Sequence, residues 1–245
     1  KEASDRSEMV TQLLFGDSLK VLEEQGSWLK IQVEFDGYEC WVDKKQVAQI
    51  SEDEYNALLH KAPHYTSELL SLVSQNSTSL LYPIVLGTRL PHFADGQLKI
   101  GREGYNFDGV CQVSPNEPNR DKIVTMAMDY LNTPYLWGGK TPFGIDCSGL
   151  TQMVYRQNGL KLLRDANQQA EQGELLSFVE ESQPGDLAFF DNDEGRIVHT
   201  GIVLSNQKII HASGQVRIDS FDHQGIFNHH RKDYSHRLRL LKRYF

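Results

Sequence analysis

The chain has 245 residues, 39% of them hydrophobic and 24% charged, with 19 glycines. These shares exclude a disordered, collagen-like or small disulfide-scaffold chain and suit one large domain or two to three small ones, at roughly 150 residues per domain. A net charge of −8, from 25 basic and 33 acidic residues, argues against nucleic acid as a partner, because phosphates demand basic patches.

Residues 9–50 read as short strands. Met9–Phe15, Leu19–Glu23, Trp28–Val33 and Glu39–Val42 are β-branched and aromatic, separated by Gly16-Asp17, Gln25-Gly26 and Asp36-Gly37. Asp-Gly is a strong hairpin signal, and strands this short at this spacing suggest a small barrel. Helical periodicity follows over Ser51–His60, where Ser51 as N-cap and Glu54 three residues on form a capping box. After the polar stretch Ser74–Ser79, Leu80–Val85, Thr88–Phe93, Gln97–Ile100 and Gly104–Val113 resume the short-strand rhythm. Ser114-Pro115-Asn116-Glu117-Pro118-Asn119 is a linker by its prolines and asparagines.

Beyond the linker the pattern changes. Asp121–Leu131 and Cys147–Asn158 are expected to be helices, the second amphipathic, with Gly159 suited to its C′ position. Strands are expected at Asp186–Phe190, Val198–Leu204, Lys208–His211 and Leu238–Tyr244. A helical part followed by a strand-rich part makes an α+β domain. The domains are therefore read as 1–50, 51–114 and 119–245. No apolar run approaches the roughly 20 residues that span a bilayer, so no transmembrane segment is expected. The polar start Lys1-Glu2-Ala3-Ser4-Asp5 reads as a trimmed one, which suits a removed targeting segment.

There are three cysteines, Cys40, Cys111 and Cys147. An odd count leaves at least one free thiol, and a Cys40–Cys111 bridge stays open. Cys147, within Asp146-Cys147-Ser148-Gly149, falls in the first turn of its helix. There the unpaired N–H groups and the positive dipole end favour a thiolate, although a buried structural cysteine is the plain alternative. His199 lies within a strand and His211 ends the next. With the upstream cysteine they can supply nucleophile, base and orienter. The same trio could ligate zinc, but no fourth ligand stands at a recognisable spacing, so no metal is expected. His223, His229, His230 and His236 lie in a polar, basic tail and read as solvated.

Pro134-Tyr135-Leu136-Trp137-Gly138-Gly139, Asp146-Cys147-Ser148-Gly149-Leu150, His199-Thr200-Gly201-Ile202 and His211-Ala212, in that order, resemble the NlpC/P60 cysteine peptidases over about residues 120–245. Gly16-Asp17, Val21, Trp28, Val33, Gly37-Tyr38 and Trp41-Val42 resemble a bacterial SH3 domain. The implied architecture is a papain-like NlpC/P60 domain preceded by two small SH3-like barrels. That combination is similar to the γ-D-glutamyl-L-diamino acid endopeptidases of cell-wall turnover. The resemblance implies Cys147 as nucleophile, His199 as general base and His211 as its orienting partner. It places Tyr135 beside the nucleophile to help bind the oxyanion, with Asp146 and Ser148 lining the substrate site. Glu39 and Tyr82 are the candidates for holding the substrate's free N-terminal amine.

The resemblance implies no cofactor. The partners are peptidoglycan-derived peptides of the form L-Ala-γ-D-Glu-L-diamino acid, with lysine and diaminopimelate both open at the third position. Such substrates suit the bacterial cell envelope better than the cytoplasm. An N-acetylmuramoyl-L-alanine amidase and a non-catalytic cell-wall binding protein are the alternatives. Two residues depart from the family pattern: Cys40 replaces a common glycine, and Asn167 a common serine.

Overall fold

The computed structural model describes residues 2–229 and 231–245; the reading of His230 as solvated therefore lies outside the described residues. Two compact units divide between Asn116 and Glu117, inside the expected linker.

In the N-terminal unit, β1 (Leu19–Gln25), β2 (Trp28–Val33) and β3 (Glu39–Asp43) form an antiparallel sheet. Period-2 alternation along β2 turns Leu29, Ile31 and Val33 inward, where Cys40 and Val42 of β3 join them. The expected strand Met9–Phe15 is irregular. Val10 and Leu13 pack on this first core while Phe15 packs on the next, so its apolar residues serve two cores rather than one sheet face. Ser51 caps α1 (Glu52–Leu59) as expected, its hydroxyl accepting the Glu54 N–H at 3.2 Å.

The next strands are β4 (His64–Thr66), β5 (Leu70–Gln75), β6 (Leu81–Val85), β7 (Arg89–Leu90), β8 (Gln97–Ile100), β9 (Glu103–Asn106) and β10 (Cys111–Val113). They build one sheet in the order β10-β4-β7 and another in the order β6-β5-β9-β8. Val73, Ile84, Leu90, Leu98 and Phe107 form their core. Only two residues of the expected strand Thr88–Phe93 pair, and Gly104–Val113 splits into β9 and β10, which join different sheets. Cys40 and Cys111 are both free thiols in separate cores, so they form no bridge.

The C-terminal unit opens with α2 (Arg120–Met128), capped by Asn119, and the small hairpin β11 (Lys140–Thr141) and β12 (Gly144–Ile145). Then come α3 (Cys147–Gln157), α4 (Ala166–Ala170), β13 (Glu174–Leu176), β14 (Leu187–Asp191), β15 (Ile197–Leu204), β16 (Lys208–Ser213), β17 (Gln215–Phe221), β18 (Gly225–Asn228) and β19 (Asp233–Arg243). The sheet runs β13-β19-β14-β15-β16-β17-β18, and β18 pairs back onto β19. Strands β14 to β19 thus close a ring, with Ala188, Phe190, Val203, Ile209, Phe221, Ile226 and Leu241 as its core.

Helix α3 packs on β15 and β16. It ends where Gly159, at φ +77°, takes the left-handed C′ position and donates its N–H to Arg156 C=O, while Leu160 N–H reaches Tyr155 C=O. The helix is buried on every side rather than amphipathic against solvent. Its polar residues bond inward, with Thr151 Oγ1 donating to Gln169 Oε1 at 2.7 Å and Gln152 Nε2 donating to Leu162 C=O at 3.1 Å.

Candidate active site

Cys147 is the first residue of α3 and Asp146 its N-cap. The Asp146 carboxylate accepts the N–H groups of Gly149 at 2.6 Å and Gly138 at 2.9 Å, which ties the helix start to the loop bearing Tyr135. The fully buried Arg164 forks onto both Asp146 oxygens at 3.1 and 2.7 Å and onto Ser148 Oγ at 3.0 Å. A bidentate guanidinium–carboxylate pair fixes geometry as well as charge. Asp146 and Ser148 therefore belong to the buried helix start beside Cys147, with Asp146 already holding a counter-ion. Arg164 carries no motif of its own in the sequence. Asn167 is exposed on α4.

The Cys147 sulfur is buried and accepts from the backbone amides of Thr200 and Ser148. Thr200 follows His199 on β15, so the sulfur lies against the strand that carries that histidine. Burial, followed by the Asp146 carboxylate, pushes the thiol up to about 12 against the pull of those amides. The expectation of a resting thiolate fails here, because desolvation outweighs the helix N-terminus. The thiol needs a base to become a nucleophile.

His199 and His211 are both buried, with His199 Nε2 2.8 Å from His211 Nδ1 and His211 Nε2 3.0 Å from Asp219 Oδ2. Arg217 clamps Asp219 through both its Nε, at 2.7 Å, and its terminal nitrogen, at 2.9 Å. Burial pushes the Asp219 carboxyl up, but the bonds and charges of His211 and Arg217 outweigh it and hold it at about 2. Burial holds His211 down against Asp219, and burial with the neighbouring His211 and His236 holds His199 well down. Both rings are neutral near pH 7.

Those protonation states assign the tautomers. Ionised Asp219 only accepts, so His211 donates through Nε2–H and leaves Nδ1 as an acceptor. His199 must then donate through Nε2–H, which leaves its Nδ1 as a free base. Gly201 makes the approach possible: a Cβ there would lie 2.9 Å from His211 Cβ, across the Gly201–His211 pair of β15 and β16. Asp219 carries no motif in the sequence, and its place follows from the pairing of Arg217 with His211, which sets Asp219 diagonally opposite.

His236 corrects an expectation. It is half-buried on β19 and stacks on the His199 ring, with centroids 4.1 Å apart and planes inclined by 24°. The closing of β19 against β14 carries it from the C-terminal tail into the site, whereas His223 and His229 are exposed as read. The ring nitrogens of His199, His211 and His236 lie within 4.8 Å of one another. However, three of the four nitrogens of the first two are spent on each other and on Asp219, and face-to-face rings do not aim lone pairs at a common point. This set does not fit a tetrahedral ion.

The phenol of Tyr135 faces the same site. Burial, then the Cys147 and Asp146 charges, push it up to about 12, so it stays a hydrogen-bond donor. In the N-terminal unit, Glu39 is an exposed residue of β3 paired with Lys30 at 2.9 Å. Tyr82 on β6 donates to Gln75 Oε1 at 3.1 Å and clusters with Phe15 and Tyr105.

Two regions of the chain match known domain families. Residues 132–234 match the NlpC/P60 family, and residues 1–47 match the bacterial dipeptidyl-peptidase SH3 domain. A γ-D-glutamyl-L-lysine dipeptidyl-peptidase of Bacillus cereus is 27% identical over 85% of this chain and 68% of its own length. One from Bacillus subtilis is 29% identical over 82% and 71%. Dipeptidyl-peptidase 6 of Lysinibacillus sphaericus is 27% identical over 89% and 86%. The fold matches that of an NlpC/P60 family protein from Bacillus cereus, with a TM-score of 0.80 and 24% identity over 96% of this chain and 81% of that one. The chain therefore carries an NlpC/P60 domain at residues 132–234 and a bacterial SH3 domain at residues 1–47, and over most of its length it is similar to dipeptidyl-peptidases.

Proposed function

We propose that this chain is a cysteine endopeptidase that hydrolyses the γ-D-glutamyl-L-diamino acid bond of peptidoglycan-derived peptides with a free N-terminal L-Ala. The observation that carries this reading is the run from Asp219 through His211 to His199, which leaves Nδ1 of His199 unprotonated on the strand against Cys147. The named activities of the relatives supply the substrate class.

In the first step the Cys147 thiol gives its proton to His199 Nδ1 as Sγ bonds to the γ-carbonyl carbon. The negative charge on the carbonyl oxygen falls to the helix-end amides and the Tyr135 hydroxyl. His199 then protonates the leaving α-amine, the C–N bond breaks, and a thioester to L-Ala-γ-D-Glu remains on Cys147. Water gives its proton to His199 and adds to the thioester, the C–S bond breaks to release the dipeptide as the acid, and His199 returns the proton to the Cys147 sulfur. His211 holds the His199 tautomer and steadies the imidazolium.

Ser148 lines the site beside Asp146. The Asp146 charge is met by Arg164, which leaves Glu39 to meet the substrate amine and Tyr82 to assist it. Residues 51–114 act as a second SH3-like barrel. The envelope is the compartment in which such peptides arise.

Digestion of L-Ala-γ-D-Glu-L-Lys followed by mass analysis tests the reading. The expected products are L-Ala-γ-D-Glu and free lysine. Release of an intact stem peptide from a muramoyl peptide, with the tripeptide untouched, would instead indicate the amidase.

A further inference from the structure

We propose that His236 is a positioning residue for His199: its imidazole stacks on the His199 ring and holds that ring in the plane from which Nδ1 meets the Cys147 thiol. This rests on the reading of His199 as the base of Cys147. The Nε2–H bond to His211 Nδ1 fixes one point of the His199 ring. It does not fix rotation about that bond, since the terminal torsion of a histidine is broad. The stacked contact of 4.1 Å and 24° supplies the missing constraint.

His236 is itself braced. Phe190 meets it edge-on at 6.0 Å and 66°, His211 at 5.6 Å and 83°, and Ser235 Oγ lies 2.9 Å from its Nδ1. Phe190 also leans on His199 at 5.7 Å and 45°, so the two rings share one aromatic floor.

The stack works only while His236 is uncharged. A neutral aromatic face attracts the imidazolium that His199 becomes during acylation, whereas a second cation stacked on it would repel it. The titratable and charged groups that face His236 are His199 on β15, His211 on β16, Asp219 on β17 and Arg231 ahead of β19. Asp219 is the one anion among them, and its charge is taken by Arg217 and His211. Burial and the neighbouring His211 hold His236 down to about 4, which keeps it neutral near pH 7.

The test compares His236→Ala and His236→Phe with the parent in two readouts. One is the site-resolved rate at which iodoacetamide alkylates Cys147 at pH 7, followed by mass analysis and needing no peptide substrate. The other is kcat and KM on L-Ala-γ-D-Glu-L-Lys. His236→Ala is expected to slow alkylation and kcat roughly three- to tenfold, the scale of one aromatic pair, with KM within about twofold; His236→Phe is expected to restore both. Alanine indistinguishable from the parent overturns the proposal. So does phenylalanine as slow as alanine, because the ring nitrogens rather than the stack would then matter, and so does a change confined to KM. If the alkylation rates follow the expected order but the parent leaves the tripeptide intact, the stack stands and the substrate reading falls.

Discussion

Two ion pairs mark the two regions of this molecule. In the peptidase unit Arg164 and Asp146 meet at 2.7 Å with side chains only 1% and 9% exposed. In the SH3 unit Lys30 and Glu39 meet at 2.9 Å with side chains 37% and 48% exposed. The chemistry is alike and the surroundings are opposite. A buried pair is hard to break, because either partner alone is an uncompensated charge in a poor solvent. An exposed pair exchanges with water at little cost and can release its carboxylate to another cation. Asp146 is thus built to hold a loop and a helix start in place, whereas Glu39 can exchange Lys30 for water or another cation at little cost.

The largest effect should come from the core of the peptidase unit. Cys147→Ala should abolish hydrolysis and leave the melting temperature near that of the parent, because one sulfur is a small loss of volume. EDTA should not affect the parent, whereas loss of activity restored by zinc would indicate a metal mechanism. Next, His199→Ala should lose almost all activity, on the scale of about 10²–10⁴ for a general base, while His211→Gln should stay measurably active. Equal residual rates would undo the assignment of base and orienter.

Arg164→Met should then sharpen the contrast between the pairs. It strands Asp146 and should cost about 3–5 kcal/mol in urea unfolding, whereas Lys30→Met should leave the unfolding midpoint in place. A smaller effect is expected with pH. His199, His211 and His236 are all held below the usual 6.5, first by burial. The unfolded chain takes up protons there that the folded chain refuses. Stability is therefore full above about 6.5 and falls as pH drops towards about 4, the value for His236. A melting series from pH 7 to 4 should show the decline, and His236→Phe should make it shallower.

The smallest structural effect belongs to Glu39. Glu39→Gln should leave stability unchanged and selectively slow the free-amine tripeptide relative to its N-acetylated form, as read in kcat/KM for the two substrates. An unchanged preference would return Glu39 to the role of a surface charge.

What could be read from residue order follows the same divide between local and non-local information. Cys147 at a helix start is legible because Asp146, Cys147 and Gly149 are neighbours whose cap needs only one turn. His199 and His211 are legible as occupants of successive strands. Arg164, Asp219 and His236 are not, since each reaches the site through tertiary structure. Arg164 crosses to a helix start 18 residues away, Asp219 depends on the β16–β17 register, and His236 depends on β19 closing the ring against β14. The thiol's protonation is not legible for a related reason. A helix terminus is visible in sequence, but burial from every side of α3 is not. Strand β5 is not legible because its exposed positions Leu70 and Leu72 are apolar while Ser71 and Gln75 flank the buried Val73 on the inward side, so apolar and buried positions do not coincide.

The central claim is that Cys147, activated by His199, forms a thioester to the acyl half of the substrate. Rapid acid quench of the enzyme turning over L-Ala-γ-D-Glu-L-Lys, followed by peptide mapping, tests it most directly. The account predicts an L-Ala-γ-D-Glu acyl group on the peptide containing Cys147, absent from Cys40 and Cys111 and absent throughout in Cys147→Ala. Cleavage of the tripeptide at an undiminished rate by Cys147→Ala, with no acyl adduct on the parent, would contradict it.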